Sequence, residues 1–405
     1  MKPHLCSIAV LSLVVSAAAQ PPAPGDWILS SLTSTSLIRL NPATGMSNPF
    51  ATPPGVWSNC VEMAANNIDL AAAIGPSMTF PIPSSPFVIV TPAGVVSSMV
   101  TIPALGNQID LDQDGSYLTP AQPGTAASGI HALVRVSAGS VVTTVAVLSS
   151  QPNAGAIDQD TGDYIAALFS TGTLLRIQRG TATVTTIATG LGTLSGVDFE
   201  PRTGTFAITR FLAPQVIRVT PAGTMTTVAT FTSANMMKVD DETGNLLVTG
   251  GTAVGLLTPA GAVITTRAVG GLNGTGVEVY GARKVSGSGN FAAGQIYNVL
   301  FTFQRSSGNT YVAALSMGLR PGIPLPDGRT INLAIDPLLV LSVGGLPGVT
   351  TGFTGTLDAF GQGTGTITVP AGFPPGIRIY CSAVAVNAAL PSGFETGNSI
   401  GMTTN

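Results

Sequence analysis

The sequence predicts an all-β chain, a six-bladed β-propeller followed by a small β-sandwich. Three observations lead there. Gly and Pro are abundant, 49 and 30 of 405 residues, and only 9% of the side chains are charged against about 25% in ordinary soluble proteins, while Val, Ile and Thr favour strands over helices. A unit of about 40 residues, four short apolar runs separated by turn signals, recurs through the first two thirds of the chain. The first copy lacks its opening strand, and an unattached strand stands at the far end of the repeats.

The chain opens with the features of an export signal. Lys2 is followed by the apolar run Leu5 to Val15, and Ala17-Ala18-Ala19 meets the small-x-small rule for cleavage near Ala19. The run is shorter than the roughly 20 apolar residues a membrane span needs, and no later segment resembles one. Cys6 comes before the apolar run is complete, so it does not read as a lipid-acceptor cysteine. The expectation is a secreted, monomeric protein, extracellular or periplasmic. A net charge of −3 and singly scattered Arg residues exclude nucleic acid as a partner. Cys60 and Cys381 fall in apolar runs of different domains and read as buried free thiols rather than a disulfide.

The repeat is clearest from Gly196 to Phe231, where Gly-Val-Asp-Phe-Glu-Pro-Arg-Thr-Gly leads into the run Thr205 to Arg210, then Val216 to Val219, the turn Thr220-Pro221-Ala222-Gly223, and Thr224 to Phe231. The next 40 residues or so repeat it, with Thr258-Pro259-Ala260-Gly261 as the turn, and earlier copies begin near Trp57, Asn107 and Asn153. Pro presets the first corner of such a turn and Gly accepts the positive φ at its exit. The shortened first copy, Trp27 onward, needs one more strand, and Gly276 to Tyr280 supplies it, so the two chain ends are expected to share one blade and close six blades over residues 26–283.

From residue 284 the repeat stops. Ser286-Gly287-Ser288-Gly289 reads as a linker over residues 284–289, and residues 290–405 as a β-sandwich with apolar runs at Tyr297 to Phe303, Tyr311 to Met317, Thr330 to Ile335, Leu338 to Val343, Gly365 to Val369 and Ile377 to Val386. A linker of that kind implies few contacts between the two parts.

On these motifs, from Gly196 to Gly204 and Val216 to Gly223, the repeat region resembles the extracellular propellers of the NHL, YVTN and gluconolactonase-like group. That resemblance implies a six-bladed propeller and a choice among binding scaffold, metal-dependent lactonase and streptogramin lyase. The lyase activity implies a histidine general base, and only His131 remains after the leader, outside any matching motif. The lactonases imply a Glu, Asn and Asp set. Asn59, Asn235 and Asn273 are its loop-side analogues here, but Ser195 stands where a Glu would be needed. Leu325-Pro326-Asp327-Gly328, Asp336 to Leu341 and Gly365 to Pro370 are similar to all-β modules appended to secreted bacterial repeat proteins.

One further pattern bears on chemistry. Aligned on their first strands, the blades carry Glu62, Asp110, Asp158, Asp198, Lys238 and Glu278, at spacings of 48, 48, 40, 40 and 40. First strands line a propeller's axis, so these six are the axial-ring candidates for ligand or cation binding, and Ca²⁺ suits the carboxylates. The competing role is structural, each acid bonding backbone of the next blade, and Lys238 favours it by placing an ammonium where a cation would sit. Arg39, Arg135, Arg176 and Arg218 recur in third strands, where pairing between blades is expected. Asp112 to Gly115 reads as a β-turn, since it lacks the later Glu of an EF-hand loop.

No catalytic, cofactor-binding or metal residue is assigned. The functional expectation is a non-catalytic secreted scaffold that binds a ligand or an extracellular protein, with the C-terminal domain as an adhesion or display module and no required cofactor. The alternative is a metal-dependent lactonase- or lyase-like enzyme acting at the axial mouth.

Overall fold

The computed structural model describes residues 20–31, 34–53, 57–75, 85–102, 108–121, 131–211, 213–231, 233–270, 272 and 274–405; residues 1–19, where the sequence reading expects an export signal, lie outside them. Six four-stranded antiparallel sheets follow one another, each ordered from an inner to an outer strand. Blade 4 is typical, with strands Pro152–Ile157, Tyr164–Leu168, Thr173–Ile177 and Val184–Ala188. The inner strands of the other blades are Gly274–Val279, Trp57–Met63, Asp110–Leu111, Leu194–Glu200 and Ala234–Val239, in blades 1, 2, 3, 5 and 6. Ring closure is a register of antiparallel pairs in blade 1, Trp27 opposite Val279 and Leu29 opposite Val277.

The strand text follows its position in the blade. Second strands such as Tyr164–Leu168 are buried throughout, because neighbouring blades cover both faces, and they read as unbroken apolar runs. Outer strands such as Met225–Thr230 face water and read as Thr-rich. The Thr-Pro-Ala-Gly turns also join blades. Gly223 donates to Thr220 O at 2.8 Å, and the Thr220 hydroxyl accepts from Thr224 N at 3.1 Å. Gly223 has φ +86°, and a Cβ there would lie 2.4 Å from Ile187 O in blade 4.

The C-terminal domain has two main sheets and a two-stranded one, Ile323–Pro324 with Thr330–Ile331. The first runs Val285–Ser288, Ile296–Thr302, Gln362–Thr368, Thr350–Thr351; the second runs Thr354–Thr356, Thr310–Ser316, Arg378–Val386, Phe394–Thr396, with Ile400–Thr403 also on Arg378–Val386. Their facing residues, among them Tyr297, Phe301, Tyr311, Leu315, Phe353, Ile367 and Cys381, form one apolar cluster. Cys60 and Cys381 are both buried, and neither is in a disulfide.

Two sequence expectations are corrected. The supposed linker is a strand, Val285–Ser288, with Val285 and Ser286 buried, because its glycine admits a neighbour rather than loosening the chain: a Cβ on Gly287 would collide with the Tyr297 hydroxyl. The apolar run at Leu338 to Val343 is not a strand. Pro337–Ser342 forms a short α-helix capped by the Asp336 carboxylate, which accepts from Leu339 N at 2.8 Å, with Pro at the first turn.

The expectation of few contacts between the parts also fails. The C-terminal domain sits on the face where the inner strands end and reaches the corresponding turn of every blade. Arg305 donates to Pro24 O at 2.6 Å, Ser286 to Ala65 O at 2.7 Å and Tyr297 to Gln113 O. Arg378 donates to Gln159 O at 2.8 Å and Arg320 to Pro201 O at 2.7 Å, while Asn332 donates to Asp241 O at 2.7 Å. Arg320 also pairs with Asp160, and Lys284 and Arg329 pair with Glu242. Ala314, Leu319, Leu333, Leu339 and Tyr380 join the apolar cluster of blades 4 and 5 around Phe199 and Phe206.

Two outcomes follow from this packing. A chain ending at Arg283 is expected to melt well below the full chain in calorimetry, because it exposes that shared cluster; equal melting temperatures would mean the interface contributes nothing. Gly223→Ala is expected to cost about 1–3 kcal/mol in denaturant titration through its positive φ and the clash with Ile187 O.

Candidate functional site

The axis is where the sequence places its polar candidates, and the inner strands bring five of the six together. Asp158 does not belong with them. Its N–H donates to Asp163 O at 2.9 Å and its carbonyl accepts from Gly162 at 2.7 Å, opening the turn after the inner strand just as Asp240 does with Asn245 and Gly244. Asp158 therefore corresponds to Asp240, and the position equivalent to Lys238 in blade 4 is Ala156. Equal spacing misplaced it because the stretches between inner strands differ in length from blade to blade. Its carboxylate lies off the axis, 2.7 Å from Arg176.

The other third-strand arginines behave likewise, correcting the expectation of pairing between blades. Arg39 meets Asp26 at 2.5 Å, Arg135 meets Asp112 at 3.7 Å as well as Asp114, and Arg218 meets Glu200. Each pair clamps the third strand of a blade to an acid at the first turn or start of the same blade. Some bonds do cross between blades, such as Arg179 to Asp112 and Arg218 to Pro259 O at 3.0 Å. Gly115 donates to Asp112 O at 3.0 Å, the β-turn expected there.

At the axis, two acids bond the next blade's backbone. Asp110 accepts from Ile157 N and Asp198 from Val239 N, each at 2.8 Å. Lys238 stands among the carboxylates, its Nζ 2.7 Å from Glu62 and 3.7 Å from Glu278. Arg283, which sequence reading took only as the end of the repeats, lies 2.8 Å from Glu62 and 3.7 Å from Asp110. Burial pushes the Glu62 carboxyl up, but Lys238 and Arg283 outweigh it and hold it below the ordinary value. Burial dominates elsewhere. It pushes Asp110 up to about 7 against the pull of Lys238, and Asp241, with help from Asp198, up to about 8. Glu278 is also raised, by burial and by the neighbouring Glu62 charge.

Both ends of this cage are occupied. Arg283 and Asn398 line it on the side of the C-terminal domain, around a cavity of about 40 Å³. Deeper in the channel, the buried Gln108 of blade 3 reaches past blade 4 to Val197 of blade 5, donating to its carbonyl at 2.5 Å and accepting from its N–H at 3.1 Å. Among the described residues, no three His, Cys, Asp or Glu side chains converge as a metal ion would require. Lys238 occupies the position a cation would take among the carboxylates.

The remaining candidates are placed more simply. The Ser195 hydroxyl is engaged with the hydroxyl of Thr209 at 3.1 Å and its carbonyl at 3.2 Å. Asn235 accepts from Thr209 through its backbone carbonyl at 2.6 Å; Asn273 and the side chain of Asn59 lie outside the described residues. His131 opens the third strand of blade 3, away from the axial acids. A recess of about 540 Å³ opens where blades 3 and 4 meet the C-terminal domain, but its cations are already paired, Arg135 with Asp114 and Arg179 with Asp112.

The opposite face is different. Phe169 and Phe211 end the second strands of blades 4 and 5 there, with ring centroids 5.8 Å apart, and Phe211 is 45% exposed. Arg210 lies beside them, donating to the Gln215 side chain at 2.6 Å.

Lys238→Met is expected to destabilise the protein by about 3–5 kcal/mol in denaturant titration, because it leaves Glu62, Asp198 and Glu278 without the ammonium they surround. Asp158→Asn, off the axis and with its partner Arg176 partly exposed, is expected to cost only about 1 kcal/mol.

No protein-family profile matches this sequence, and no curated protein matches it. Among solved structures, a chain from a nidogen–laminin complex superposes with a TM-score of 0.51 at 10% identity, covering 62% of this chain and 97% of that one. The virginiamycin B lyase of Staphylococcus aureus superposes with a TM-score of 0.43 at 12% identity, covering 61% and 85%. At such identities the likeness is one of fold, and the fold that it shows is the β-propeller.

Proposed function

We propose that the mature chain is a secreted, non-catalytic scaffold that binds an extracellular protein partner on the face opposite its C-terminal domain. The observation that carries this reading is that one face and the axis are already occupied. The C-terminal domain covers the turns at the ends of the inner strands, Gln108 closes the channel, and the axial acids are engaged with Lys238, Arg283 and backbone. A reaction at the axial mouth would need those groups free and reachable. The C-terminal domain then serves as a cap that braces the ring rather than as a separately displayed module.

Among the described residues, no contact of the C-terminal domain reaches the face of the Phe169–Phe211 pair. Aromatic and Arg side chains dominate the strong points of protein interfaces, since they bury large rigid surfaces at little cost in conformational entropy. Phe211 with Arg210 beside it is that combination, and the rest of the exposed surface is rich in Thr and Ser. The leader Lys2 to Ala19 supports the export on which the reading depends.

The test uses mature protein lacking residues 1–19, immobilised and exposed to the proteins of its own secreted fraction. Phe211→Ala is expected to lower retention of a bound partner at least tenfold with little change in melting temperature. Turnover of a lactone or cyclic depsipeptide by the same protein, abolished by Asp198→Asn, would sink this reading in favour of an enzyme.

A further inference from the structure

We propose that the C-terminal domain is a pH-governed cap on the propeller axis, seated while the axial carboxyls hold protons and loosened once they release them.

The first support is a count of charges. Seven carboxyls, those of Glu62, Asp110, Asp198, Asp240, Asp241, Glu242 and Glu278, line the cavity under the cap together with two cations, Lys238 and Arg283, while Lys284 and Arg329 of the cap pair with Glu242. With every acid ionised, seven carboxylates meet four cations and leave three negative charges uncompensated, so the cage is neutral only when three of the seven carry protons. The cap brings Lys284 and Arg329, both taken up by Glu242, and Arg378, which donates to the Gln159 carbonyl and the Thr403 hydroxyl; none of them pairs with Asp110, Asp241 or Glu278. The cap also contributes Asn398, which is committed to Lys284 N at 2.8 Å and Val285 N at 2.9 Å. Arg179, also near this layer, is engaged with Asp112. Asp240, beside Asp241 on the same turn, is likewise pushed up by burial and by the neighbouring Glu242 charge.

The second support is unmet polar atoms. Glu278 Oε2, Arg283 Nε and Gln159 Oε1 are buried without a hydrogen-bond partner among the described residues, and all three residues line this cavity. A volume of about 40 Å³ has room for a water or two, which can bridge such atoms but cannot hydrate three free carboxylates. The third is position. Asp241 lies on the turn whose own carbonyl is held by Asn332 of the cap at 2.7 Å, and the next residue, Glu242, anchors Lys284 and Arg329. Hydrating the Asp241 carboxylate thus means disturbing the cap's attachment to blade 6.

The sign follows from linkage. Burial in this cavity raises Asp110 to about 7 and Asp241 to about 8, and raises Glu278 as well; lifting the cap admits water and lessens that burial, so the seated form binds more protons than the lifted one in this range. Its stability is greatest at mildly acidic pH: it falls as pH climbs through 7 and 8, and it falls again on the acid side, where Glu242, held below the ordinary carboxyl value by Lys284 and Arg329, takes up its proton.

Hydrogen exchange of the full mature chain, read by mass spectrometry at pH 6, 7, 8 and 9 and corrected for intrinsic rates, tests the proposal. Protection of the capped turns, residues 112–116, 158–163 and 240–245, is expected to fall at least tenfold from pH 6 to pH 9, while the buried second strand Phe206–Arg210 keeps its protection. Asp241→Asn and Asp110→Asn are each expected to flatten that profile by half or more. A flat wild-type profile overturns the proposal even if neither variant folds. So does loss of protection in the second strand alongside the turns, or an Asp241→Asn profile identical to wild type.

Discussion

Everything in this molecule rests on the pairing of two short strands from distant parts of the chain, Trp27–Ser31 and Gly274–Val279. Each blade packs mainly against its two neighbours, so an open row would leave an apolar face bare at each end. With blade 1 completed by strands from both ends of the repeats, the inner strands surround a common axis. Their terminal turns then form one continuous floor for the C-terminal domain, which touches all six.

Charge is scarce here, and much of it is spent inside. The third-strand arginines lie against acids of the first turn or blade start, where water is largely excluded and a bidentate guanidinium is better suited than an ammonium. These pairs orient strands, and removing one partner would leave the other buried and unpaired. The axis follows the same rule less completely: seven carboxyls line its cavity with only Lys238 and Arg283 as cations beside them. The outer strands are left to Thr and Ser, whose hydroxyls bond water without charge, with scattered exposed aliphatic and Phe side chains between them.

Most of the repeat architecture was legible in the sequence, because strand, turn and strand are local and each copy had to satisfy the same geometry. Thr220-Pro221-Ala222-Gly223 announces both a turn and the close approach of the preceding blade. The surplus strand Gly276 to Tyr280 announced ring closure. Two local signals were misread. Gly287 admits the Tyr297 hydroxyl and is no linker residue, and Asp336-Pro337 carried a helix start inside an apolar run that looked like a strand. Asp158 failed for a different reason, since even spacing cannot say where an inner strand ends and its turn begins.

The sequence by itself determined the number of blades, the pairing of the chain's two ends and the presence of acids along the axis, because these depend on patterns that repeat every 40 residues or so. Only the tertiary structure decided what the acids face. Arg283 reaches Glu62 and Asp110, Lys238 reaches Glu62, and Gln108 reaches Val197, across separations in the chain of 221, 173, 176 and 89 residues that no periodicity encodes. The seating of the C-terminal domain belongs to the same class. Its contacts join single residues of one fold to single turns of another, and such contacts exist only once both folds have formed.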